Sequence, residues 1–278
     1  MPTSEPILVW LRVRSLILAL VTATALAACS GTKENPYIEA PVENLYNGAM
    51  DALMADDVPA AIKLFDEVER QHPYSVWATK AQLMGAFARY RGNKYDDAIG
   101  ALDRFIQLHP GNRDVVYAYY LKALSYYEQI TDVGRDQETT ARARAALDEL
   151  VRRFPDSRYS RDAKLKLDLT LDHLAGKEME IGRYYLTSKQ YLAAINRFRR
   201  VIDLYKTTTH VPEALHRLTE SYLALGLESE AKKSASVLGH NYPGSEWYTD
   251  SYAILTGVDV RPQHEKRGMI SRVWNTVF

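Results

Sequence analysis

The sequence is poor in the groups on which most active sites depend. Cys29 is the only cysteine among 278 residues, so no internal disulfide can staple the fold and no cysteine cluster can hold a metal. Charge of neither sign is in excess, since 35 basic residues face 35 acidic ones, and no basic field is left to attract nucleic acid. His-Glu-x-x-His, Gly-x-Ser-x-Gly and a phosphate-cradling glycine loop are all missing, which removes the usual signatures of zinc, serine-nucleophile and nucleotide chemistry. His72 and His109 each precede a proline at the same point of a repeated pattern and read as structural. His210 and His216 are six apart and cannot share a helical face. Glu178 and Glu180 fall in a charged stretch and read as a solvated face rather than an acid and base pair. No catalytic residue, metal site or cofactor is expected.

The N-terminal apolar run, Leu16 to Ala27, falls short of the roughly 20 residues that a membrane-spanning helix needs. Arg12 and Arg14 precede it and Leu26-Ala27-Ala28-Cys29 ends it, which is the grammar of a bacterial lipoprotein signal cleaved before the cysteine. Residues 1–28 are therefore expected to be a signal peptide and Cys29 to carry the lipid, a diacylglycerol on sulfur and a third chain on nitrogen. Several acyl chains give stable anchoring. Ser30 follows the cysteine, not the aspartate of inner-membrane retention signals, so the expected address is the periplasmic leaflet of the outer membrane. Residues 29–41 mix Gly, Lys, Glu, Asn and Pro without apolar periodicity and read as the lipidated cysteine with a tether. The mature part carries a formal charge of about minus one.

The body repeats itself. Ala61, Phe65, Val68 and Pro73 recur at identical offsets as Ala98, Leu102, Phe105, Pro110, and again as Ala143, Leu147, Leu150, Pro155. Two more copies follow, Ala194, Phe198, Val201 with Lys206 in place of proline, and Ala231, Ala235, Leu238, Pro243. A small residue that admits a close helix, large residues one and two turns on, and a terminating proline describe the second helix of a tetratricopeptide repeat. First-helix signals precede several copies: Ile181, Gly182 and Tyr185 before Ala194, Leu218 and Tyr222 before Ala231. The spacing predicts an all-α, right-handed solenoid of five tetratricopeptide-like hairpins over 42–243, at about 42–75, 76–112, 113–157, 160–207 and 211–243. The anchor alanines stand 37, 45, 51 and 37 residues apart, against about 34 in the standard repeat. The polar insertion around Thr131 to Thr140 reads as a loop. The insertion near Asp162 to Lys177, with Leu165, Leu169 and Leu174, is expected to lengthen a first helix to about Ser160–Ser188 without changing the face it buries.

Such stacks present a concave face suited to extended ligands, and tyrosines crowd the first helices at Tyr117, Tyr119, Tyr120, Tyr126, Tyr127, Tyr184, Tyr185 and Tyr222. Tyr74 and Trp77 follow the first terminating proline and Phe87, Arg89 and Tyr90 lie in the next first helix. These five are the expected peptide groove, an aromatic and cationic pocket for an aromatic chain end and its carboxylate. In the C-terminal extension, 244–278, Met269, Ile270, Val273, Trp274, Val277 and Phe278 form an amphipathic pattern, which would either cap the last repeat or dock on a partner or membrane surface.

Lipobox, tether and repeats together resemble the BamD family of outer-membrane assembly lipoproteins. The most specific pieces are His72-Pro73-Tyr74-Ser75-x-Trp77, Asp103-Arg104-Phe105-Ile106-x-Leu108-x-Pro110, Ala143-x-Ala145 with Pro155-x-Ser157-x-Tyr159, and Asn196-Arg197. The resemblance implies a non-enzymatic scaffold of the β-barrel assembly machinery. It implies binding to the POTRA domains of BamA through the C-terminal repeats, companionship with the other lipoproteins of that machinery, and capture of unfolded barrel proteins by the N-terminal repeats. Arg197 matches the family arginine that contacts an acidic residue of the last POTRA domain, and Arg200 extends the same basic edge. A different class of repeat lipoprotein, bound to peptidoglycan or coordinating cell division, would co-purify with sacculi without BamA.

Overall fold

The computed structural model describes residues 40–258; Cys29 with the expected signal, and the amphipathic pattern from Met269 to Phe278, lie outside them. The described residues form eleven α-helices: α1 (Val42–Met54), α2 (Val58–Gln71), α3 (Val76–Arg91), α4 (Tyr95–Leu108), α5 (Val115–Tyr127), α6 (Glu138–Arg153), α7 (Arg158–Thr187), α8 (Tyr191–Leu204), α9 (Val211–Ala224), α10 (Glu228–Asn241) and α11 (Glu246–Thr256). The first ten pair as antiparallel hairpins, and α11 packs on both helices of the last pair. None of these helices is long and apolar enough to cross a membrane.

Two recurrent turns make the repeat. Within a hairpin the chain reverses through a left-handed residue, Asp56, Asn93, Lys189 or Gly226, with φ between 57° and 73°. Between hairpins the second helix closes on His72, His109, Phe154, Tyr205 or Tyr242, all at φ −128° to −135°, each donating its N–H to the carbonyl four residues back. Proline follows four of these and excludes a further helical turn. Lys206 follows the fifth with the same geometry, so packing alone suffices there. Ser75, Ser157 and Ser245 then cap the next first helix, Ser75 Oγ accepting from Ala78 N at 3.1 Å.

Every anchor alanine of the repeated string is buried, Ala61, Ala98, Ala143, Ala194 and Ala231, as are Phe65, Leu102, Leu147 and Phe198 one turn on. Burying one such large side chain stabilises by about 1.5–3 kcal/mol. First helices also touch one another, α1 on α3, α3 on α5 and α5 on α7, whereas the backbones of successive second helices do not meet. The first-helix ladder is therefore the continuous surface, and second helices are linked only through side chains such as Arg104 on Glu69.

Helix α7 departs from the expectation that its added turns bury the same face. Its N-terminal half packs Ala163 and Leu167 toward α5 and α6, and its C-terminal half buries Ala175, Met179 and Gly182 toward α8. Leu165 and Leu169 are 63% and 60% exposed. The cause is length: α8 runs antiparallel from the far end of α7 and stops at Leu204, with Tyr205 packed near Leu171 and Leu174, so α8 does not reach the earlier turns and α6 packs there instead.

Candidate binding surfaces

A cavity of about 490 Å³ opens on the first-helix ladder between α1, α3, α5 and α7. Its aromatic wall is built from Tyr46, Tyr117 and Tyr159. Tyr46 packs at a tilt against Trp77 with ring centroids 4.9 Å apart, and Tyr159 lies 4.9 Å from Tyr120 and 5.5 Å from Tyr117. Tyr120 donates to Asp162 Oδ2 at 2.7 Å. Burial, then the neighbouring Tyr159, pushes the Tyr117 phenol up to about 12; burial, then the bond to Asp162, also raises Tyr120. Both remain neutral hydroxyls at physiological pH, so the wall is apolar with fixed polar tips.

Cations stand at its rim. Arg158 is carried into place by the Ser157 cap and lies over the Tyr159 ring at 4.6 Å. Lys80 sits over Trp77 at 4.7 Å. Arg113, in the turn that Asn112 fixes by accepting from Asp114 N at 2.8 Å, is 3.5 Å from Asp114. Positive groups held above ring faces, beside apolar Leu83 and Met84, can accommodate a chain end that combines an aromatic side chain with a carboxylate.

The five residues expected to form the groove are not gathered there. Tyr74 is fully exposed, at 102%. Trp77 and Phe87 pack into the first core, Phe87 also into the next. Arg89 faces the other side of α3, chelating Asp66 at 2.8 and 2.9 Å in a separate cavity with Glu69 and Arg104. Tyr90 packs against Tyr95 and donates to Glu128 at 3.4 Å. The reason is helical phase: Arg89 and Tyr90 are adjacent and diverge by about 100°. Tyr117 and Tyr159 stand out in the sequence as a first-helix tyrosine and part of a motif. Tyr46 and Arg158 do not, although the serine before Arg158 marks it as the first residue of a helix.

At the fourth hairpin, Glu178 is the surprise. It is not on a solvated face: its side chain is 11% exposed, with Oε2 3.1 Å from Arg197 Nη1 and Oε1 3.2 Å from Arg200 Nη2. Glu180 is exposed and pairs with Lys177. Arg197 and Arg200 are 32% and 52% exposed, so both cations reach the surface while the acid between them does not. His109 bonds Gln82 at 2.9 Å and packs at a tilt against Phe105, as a structural residue does. His216 is buried against Ser251, at 2.8 Å, and Trp247, tying α9 to α11.

Stacked helical hairpins with an aromatic groove and a surface arginine pair define a helical-repeat binding scaffold. Residues 38–238 match the YfiO family of outer membrane lipoproteins. The chain is 49% identical over 266 residues to the outer membrane protein assembly factor BamD of Caulobacter vibrioides, covering 92% of this chain and 87% of that one. It is 46% identical to the protein of the same name from Rickettsia prowazekii, with 85% and 94% covered, and 33% identical to that of Neisseria meningitidis serogroup A, with 86% and 95% covered. The chain belongs to this family of outer membrane lipoproteins.

Proposed function

We propose that the chain is a non-enzymatic scaffold of the machinery that assembles β-barrel proteins in the outer membrane. Lipid on Cys29 holds it to the periplasmic leaflet, Arg197 and Arg200 contact the POTRA domains of BamA, and the groove between α1 and α7 receives unfolded barrel polypeptides by an aromatic, carboxylate-bearing end. The observation that carries the peptide reading is the cavity of Tyr46, Tyr117 and Tyr159 with Arg158 on its rim. Family membership and the names of the relatives support the rest.

The groove is tested with the full chain in detergent and a short peptide ending in phenylalanine with a free carboxylate. Tyr117→Ala and Arg158→Glu are each expected to weaken binding about tenfold or more, as loss of an aromatic or arginine anchor does. Amidation of the peptide should weaken binding to the parent chain and have little effect on Arg158→Glu. Unchanged affinity in both variants removes the groove. Cys29→Ala tests the anchor: the protein should leave the membrane fraction when BamA is absent, and retention there would refute lipid attachment at this residue.

A further inference from the structure

Resting on the reading of Arg197 and Arg200 as the partner contact, we infer that Glu178 is a positioning residue that holds the two arginines as a cradle for one carboxylate of the partner. The repeat itself shows what is unusual. Counting from the anchor alanine, Arg200 corresponds to Arg104 in the second hairpin, and Glu178 corresponds to Gln82. There, Arg104 and Gln82 both reach back to Glu69 on the preceding second helix. In the fourth hairpin the acid comes from the same hairpin's own first helix, and both of its arginine partners stand on α8. Arg200 is thus held without being used up in joining one repeat to the next.

The contact geometry leaves donors to spare. Arg89 on Asp66 and Arg183 on Glu213 each reach both oxygens of one carboxylate. Glu178 instead divides its two oxygens between two arginines, one nitrogen from each. Of the five donors on a guanidinium, most remain available on both Arg197 and Arg200. The three groups sum to one positive charge, and a nearly buried carboxylate between the guanidiniums offsets their repulsion and fixes their spacing. An exposed aspartate or glutamate on the partner would complete the set with paired charges of equal number, using arginines whose side-chain entropy is already lost.

The test is a double-mutant cycle on the full chain in detergent, with the soluble POTRA portion of BamA as the probe. Arg197→Ala/Arg200→Ala should weaken binding by about a hundredfold, and E178Q by about tenfold, since the amide loses the negative charge and turns an N–H2 donor, not an acceptor oxygen, toward one of the two arginines. In the double-alanine background E178Q should change affinity less than about twofold. An E178Q loss of equal size in both backgrounds, or none in the parent, overturns the positioning role while leaving the interface standing. An unchanged affinity of the double-alanine variant overturns the interface and this inference with it. Should E178Q melt far below the parent, E178D supplies the reading: the charge stays but the reach shortens by one methylene, affinity should fall between the two, and parental affinity would refute the cradle.

Discussion

Replacing Gly182 with valine is expected to lower the melting temperature of the full chain by about 10 °C, corresponding to about 3 kcal/mol in a domain of this size. A Cβ at this position would stand less than 3.0 Å from three atoms of the Phe198 ring. That ring is fully buried and has nowhere to move. At the same offset from the anchor alanine the first, second and fifth hairpins carry Ala49, Ala86 and Thr219, so the position is small in each, and only the fourth has glycine there. Gly100 supplies the control. It lies on the exposed side of α4, where a methyl group on its Cα would meet no atom within 4 Å, so Gly100→Ala should raise the melting temperature by about 3 °C through helix propensity alone, about 1 kcal/mol. Thermal unfolding followed by circular dichroism reads both. A Gly182→Val chain that melts with the parent would mean that α7 and α8 can separate at little cost, and the close-packed account of the hairpin would be wrong.

The helical architecture is legible because it is written as a local pattern. A small residue, two large ones at helical spacing and a proline specify which face of the second helix is buried and where it stops, and the anchor positions are buried in the structure. The long α7 can be anticipated from helix-forming residues in the insertion around Asp162 to Lys177. Its buried face cannot, because that depends on where α8 ends. Leu165 and Leu169 satisfy a helical period and still face solvent, since periodicity reports amphipathic potential and not the presence of a partner.

The binding surfaces are harder to read, for a related reason. A groove between first helices gathers residues from four hairpins, and the distance in sequence from Tyr46 to Tyr159 gives no sign that they share one cavity. The five residues that sequence points to instead lie within a single short stretch, Tyr74 to Tyr90, where adjacent helical residues such as Arg89 and Tyr90 point to different sides. Composition misleads at Glu178: a glutamate among charged residues is usually solvated, and only the pairing of α7 with α8 places it beneath two arginines.

Arg197→Glu is expected to abolish capture of the POTRA domains and, in addition, to destabilise the chain by about 3 kcal/mol. A solvated arginine reversed in charge would cost its own fold little. Arg197 is not solvated in that sense, because it neutralises a carboxylate that has only 11% of its side chain exposed. Reversal puts a second carboxylate against Glu178 and leaves Arg200 to serve both, and breaking a buried pair costs more than the pair contributes, about 3–5 kcal/mol when no counter-charge remains. Arg197→Gln separates the two effects. The amide still donates to Glu178, Arg200 still supplies a full charge, and stability should fall by only about 1 kcal/mol, while the bidentate donor set offered to the partner is lost and affinity drops about tenfold. Melting curves and POTRA binding measured on both variants give four values with a fixed order. Arg197→Glu should be the worse of the two in each measurement, with the larger gap in stability. Equal melting temperatures for the glutamate and glutamine variants would show that Glu178 does not depend on Arg197 for its neutralisation. The ion pair would then be incidental to the fold, and the buried acid would have to be satisfied by Arg200 alone.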